Sequence, residues 1–161
     1  MTHLPTLATP SFAHPMRTAR LPAFRFLPLL CIHLLVASGC TNTPGSLPQE
    51  QLKNDAAREH AFLADLYADD YFPKHLVDQG RDILVDLCHT LEARPPKDLD
   101  ELYAYSHQAT ERFNDLQSAF EAAGSELETA ARESIGMDFA FIAEAYGFDA
   151  DVEELIAPRE W

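Results

Sequence analysis

Positive charge is what this chain has least of. Twelve Lys and Arg stand against 26 Asp and Glu among 161 residues, a net charge of −14. The imbalance steepens after Cys40, where nine basic residues meet all 26 acids, a balance of −17. Such a surface repels nucleic acid and anionic lipid headgroups, because phosphate rewards Lys and Arg. No nucleic-acid partner is expected; the charge suits solubility, a basic protein partner or divalent cations, and a solvated acidic surface is the simplest reading. Cysteine is scarce too, at three residues. Cys31 falls in a candidate leader and Cys40 at its end, which leaves Cys88 without a partner for a disulfide. Strand-like alternation, internal repeats and low-complexity tracts are all missing. So is any apolar run long enough to span a bilayer, which needs about 20 residues.

The first forty residues read as an export signal. Arg17, Arg20 and Arg25 precede an apolar run over 26–36, and small residues follow it. This order marks a secretory leader, compact when counted from Met16 rather than Met1. Its end, Val36-Ala37-Ser38-Gly39-Cys40, resembles the lipobox of bacterial lipoproteins. That resemblance implies diacylglycerol on Cys40, which becomes the N-terminus and is then N-acylated (palmitate-type lipidation) and anchors the protein to a membrane. Thr41 after the cysteine implies the outer membrane where one exists. The alternative is a cytoplasmic protein whose start lies further along. Residues 40–48 then form a Thr/Pro/Gly/Ser tether, and 49–161 an acidic helical domain.

Helix periodicity runs through that domain. A first helix is expected over about 49–67, with Leu52, Ala56, Leu63 and Leu66 inward. Pro73 opens a second, whose stripe is Leu76, Gly80, Ile83, Leu84, Leu87 and Leu91. Arg94-Pro95-Pro96 stops it, and Asp98 caps a third. Leu99, Leu102, Tyr103, Ala109, Phe113, Leu116 and Phe120 recur along the third helix, and Leu127, Ala131, Ile135, Phe139, Ile142 and Tyr146 along a fourth. Between them Gly124 suits a left-handed helix end, and Ser125 with Glu128 reads as a capping box. Asp151 caps a short fifth helix. The fold class is all-α: a small bundle of four main helices and a short C-terminal one, built on an αα-hairpin.

The blocks Tyr71-Phe72-Pro73-Lys74, Asp98-Leu99-Asp100-Glu101-Leu102-Tyr103, Ala109 to Gln117 and the tail Glu153 to Trp161 stand in a telling order. That order resembles a family of small uncharacterised bacterial proteins, domain of unknown function 5713, over about 61–161. The resemblance implies a compact helical unit and supplies no activity, ligand or catalytic residue. Members begin near the first helix, so the leader here is a departure.

Chemistry-bearing side chains are few. At about 100° per residue, Ser106, Thr110 and Gln117 fall inside the apolar stripe of the third helix, with Asn114 beside it. Asp138 falls between Ile135 and Ile142 in the fourth. These residues read as a hydrogen-bonded seam fixing helix register, Ser and Thr bonding back one turn. They also read as a ligand pocket lined by Tyr103, His107, Thr110, Asn114 and Asp138, in a helical protein with binding or enzymatic chemistry. No nucleophile–base pair or oxyanion loop accompanies them, so no catalytic residue is assigned. Metal signals are equally thin. His107 with Glu111 and Asp86 with His89 share helical spacing only, Glu-x-x-His pairs of a di-iron bundle are missing, and Asp149-x-Asp151-x-Glu153 lacks the glycine of a calcium loop. No metal or cofactor is expected. Neither His60 nor His75 has an evident partner.

Overall fold

The computed structural model describes residues 46–161. The leader over 1–39, the lipidation expected at Cys40 and the tether as far as 45 lie outside the described residues. Within them the chain is helical. A single 3-10 turn at Gln49–Gln51 precedes α1 (Asp55–Glu59), α2 (Ala64–Ala68), α3 (Lys74–Ala93), α4 (Leu99–Ala122), α5 (Thr129–Ala145) and α6 (Val152–Leu155). No strand occurs among the described residues, and no helix there is long and apolar enough to cross a membrane.

The fold class is the expected one, and α3 and α4 begin and end close to their punctuation. Asp98 accepts from the Glu101 N–H and Asp151 from the Glu153 N–H, as N-caps should. Gly124 (φ +78°) and Gly147 (φ +88°) end α4 and α5 in the left-handed region. Each forms a Schellman closure: Ser125 N–H to Phe120 O and Gly124 N–H to Glu121 O in one, Phe148 N–H to Ala143 O and Gly147 N–H to Glu144 O in the other.

Two finer expectations fail. The first helix does not run from 49 to 67. Asn54 starts a new helix by accepting from the Ala57 N–H, and Leu63 takes a left-handed backbone (φ 56°) that separates α1 from α2. The breaks let Leu52, Ala57, Phe62, Leu63 and Leu66 all reach the core, and Ala56 faces out instead of Ala57. The capping box at Ser125 does not form either. Its N–H is committed to the Schellman closure, its hydroxyl is buried without a partner, and α5 begins only at Thr129 with Glu128 as an N-cap whose side chain makes no capping bond.

One core holds these pieces together. It runs from Leu52 through the α3 stripe and Phe113 to Ile135, Phe139, Ile142 and Leu155. α3 and α4 form the most extensive pair. α4 and α5 meet through long side chains, Phe113 edge-on to Phe139 with centroids 6.1 Å apart, and through α6, which touches both.

Candidate functional site

Several polar assemblies sit on this framework, and the five expected pocket residues divide between two of them. Tyr103, His107, Thr110 and Asn114 follow one another at steps of four, three and four, one stripe of α4. The tail lies along this stripe. Tyr103 Oη accepts from the Asp151 N–H at 3.3 Å, and His107 Nε2 donates to Glu154 O at 2.7 Å. Thr110 Oγ1 donates to Ser106 O at 3.0 Å, with Leu155 O at 3.4 Å. Asn114 closes the row by giving Nδ2–H to Pro158 O and taking the Glu160 N–H on Oδ1, each at 3.0 Å. The stripe is a ladder for tail backbone groups that would otherwise need water.

Asp138 is not with them. It is 6 % exposed, on the side of α5 that faces the arm preceding α3. Its Oδ2 accepts from the Leu63 N–H at 2.7 Å, and its Oδ1 lies 2.7 Å from His60 Nε2. The His60 ring is stacked on Phe141, centroids 3.7 Å apart and planes 12° off parallel, with Phe62 edge-on at 4.7 Å. Burial raises the Asp138 pKa above its ordinary value, a push that the His60 and Leu63 hydrogen bonds partly offset. A carboxylate orienting an imidazole is half of an acid–base relay. Among the described residues no hydroxyl or thiol is hydrogen-bonded to His60. The pair instead fastens the left-handed turn at Leu63 to α5.

The third assembly closes the arm over α3. Glu92 Oε1 accepts from the Lys53 N–H at 2.8 Å, the Asn54 N–H at 2.9 Å and Tyr146 Oη at 3.0 Å. Asn54 Nδ2 reaches Ala145 O at 2.7 Å. Burial works against the Glu92 carboxylate, yet the two backbone N–H groups and the tyrosine outweigh it and hold its pKa below the ordinary range. One and two turns earlier on α3, His89 Nε2 donates to Pro48 O and Asp86 accepts from Ser46 Oγ. Cys88, fully buried in this region, has its thiol pushed up to about 12 by desolvation, which leaves it a packed, unreactive group.

The residues that might have ligated metal are spoken for. His107 serves Glu154, Glu111 accepts from Asn114, His89 serves Pro48, and Asp86 also pairs with Arg112 at 2.9 Å. Among the described residues no group of three or more His, Cys, Asp or Glu is placed to hold an ion.

What the outer surface offers is negative charge. From 113 to 161, twelve carboxylates stand against Arg132 and Arg159 alone, a balance of −10. A depression of about 530 Å³ where α4 gives way to α5 is walled by Glu121, Glu126, Glu128 and Glu160 beside Arg132 and Trp161. The neighbouring Glu128, by hydrogen bond and by repulsion, raises the pKa of Glu126.

Sequence reasoning found the α4 stripe but not its occupant, because backbone groups of a tail 44 to 48 residues away leave no periodic signal. His60 and Glu92 were missed for the same reason: their partners lie 78 and 38 to 54 residues distant.

A family model described as "Family of unknown function (DUF5713)" matches residues 56–161. No curated protein and no solved structure matches the chain.

Proposed function

We propose that this chain, which belongs to that family of unknown function, is a binding module anchored to a bacterial membrane by lipid on Cys40 and directed at a basic protein partner. The carrying observation is the −10 balance over residues 113–161, which suits a positively charged protein and repels phosphate-rich polymers. A neutral reading of the polar stripe as a ligand pocket loses support because the tail occupies it. The anchor rests on the Ala37-Ser38-Gly39-Cys40 sequence after the apolar run. Two or more acyl chains hold a protein stably on a bilayer where one does not.

Mass spectrometry of the protein isolated from a bacterial host tests the anchor. The expected N-terminal peptide begins at Cys40 and carries the mass of glyceryl and acyl groups. An unmodified peptide beginning at Met1 or Met16 overturns it. Cys40→Ser should release the protein from the membrane fraction.

A further inference from the structure

We propose that the outer face of α5 is a docking groove for a positively charged amphipathic helix. The proposal rests on the basic-partner reading above and assigns it a place. Glu133, Met137, Ala140 and Glu144 recur at steps of four, three and four, a single stripe of α5 about 16 Å long at 1.5 Å per residue. The middle of the stripe is apolar and its ends are acidic. Met137 is 58 % exposed, the most exposed large hydrophobic side chain among the described residues.

The stripe is the floor of two adjoining depressions that share Ala140. One, about 320 Å³, is bounded across from α5 by Val152, Glu153 and Ile156; the other, about 450 Å³, by Phe148 and Asp149. Apolar side chains therefore line the trough and carboxylates stand along both rims, with Arg132 beside Glu133 at the end where α5 begins. Glu153 already pairs with Arg159. Glu133, Glu144 and Asp149 are exposed, and their side chains make no hydrogen bond or ion pair within the described residues.

Charge selects the occupant. A second copy of this acidic chain would bring like charges onto both rims, and an anionic lipid surface would be repelled. A helix bearing one or two aliphatic side chains between Lys or Arg residues fits on both counts. Its apolar anchors cover Met137 and Ala140, and its cations meet Glu133, Glu144 and Asp149. Helix-in-groove recognition works through such i, i+3, i+4, i+7 anchors.

The test uses the full chain with [13C-methyl]methionine and an 18-residue Leu/Lys amphipathic helix as probe. Methionine occurs only at 1, 16 and 137, so the Met137 methyl is a direct reporter of the groove. Saturable binding with a shift of that methyl is expected. Met137→Asp, and the pair Glu133→Lys with Glu144→Lys, should each weaken the peptide about tenfold, a loss of about 1.4 kcal/mol. The pair Glu50→Lys with Asp70→Lys changes net charge equally at exposed sites that line neither depression and should alter affinity less than twofold. Circular dichroism confirms that each variant is folded. Equal weakening by the remote pair, an unmoved Met137 methyl, or self-association blocked by Met137→Asp overturns the groove while leaving the basic-partner reading standing. Failure of the peptide to bind at all overturns both.

Discussion

His60 and Asp138 are 78 residues apart in the chain and 2.7 Å apart in the fold. The same carboxylate holds the Leu63 N–H, so one side chain fixes both the ring and the left-handed turn beside it. Asp138→Asn can preserve this geometry: the amide oxygen accepts from Leu63, and the NH2 donates to the Nε2 of the other His60 tautomer. Asp138→Ala strands a buried N–H and should cost about 1–3 kcal/mol. Urea denaturation is expected to rank wild type and Asn close together and Ala well below. Equal losses for the two variants would mean that charge, not the hydrogen bonds, holds the turn.

Asp138 and Glu92 should respond to acid in opposite directions. Glu92 titrates below its ordinary 4.5 in the fold, so its contribution is present above the unfolded value and lost as pH falls through the folded one. Asp138 titrates above its ordinary 3.8, so its contribution is greatest in acid and lost as pH rises through the folded value. From pH 7 to pH 4, the stability gap between wild type and Glu92→Gln should narrow, and wild type should gain on Asp138→Asn. Parallel pH profiles for the two variants would contradict this assignment.

The junction between α4 and α5 can be improved. Ser125 places a hydroxyl in the core with nothing to bond, so Ser125→Ala should leave the denaturation midpoint unchanged or raise stability by up to about 1 kcal/mol. Glu128 is an N-cap whose side chain makes no capping bond. Glu128→Asp supplies a shorter acceptor and should add about 1 kcal/mol. A destabilised Ser125→Ala would show that the hydroxyl does cap α5 in solution.

Asn114 holds the tail through two backbone bonds. Asn114→Ala should cost about 1–2 kcal/mol and loosen the tail before the bundle unfolds. The sole tryptophan, Trp161, packs edge-on to Phe113 at 6.1 Å and reports this directly. A red-shifted emission at a denaturant concentration that leaves helicity intact is expected. Coincident fluorescence and circular dichroism transitions would show that the tail and the bundle separate together.

What the sequence made legible was local chemistry. Asp98, Gly124 and Asp151 each act on groups within five residues, so spacing alone placed both ends of α4 and the start of α6. Ser125 misled because two local rules competed for it. Serving as the residue after Gly124 in the helix closure carried it into the core, where it could not also start α5. Leu63 misled because a leucine with positive φ has no sequence mark; the acceptor that stabilises it comes from α5. The α4 stripe was legible as polar groups on an apolar face, whereas the backbone it binds was not, since carbonyls and N–H groups are the same in every residue.

The row on α3 that receives the arm has a mechanical meaning. Asp86, His89 and Glu92 take Ser46, Pro48 and the Lys53–Asn54 backbone in the same order as the chain runs. A pull that lifts residue 46 away from α3 would reach these bonds one after another, as in a zipper, rather than loading them together in shear. Bonds broken singly yield at low force, so tension on a tether would peel the arm back toward the His60–Asp138 fastening and leave the α3–α4 pair intact.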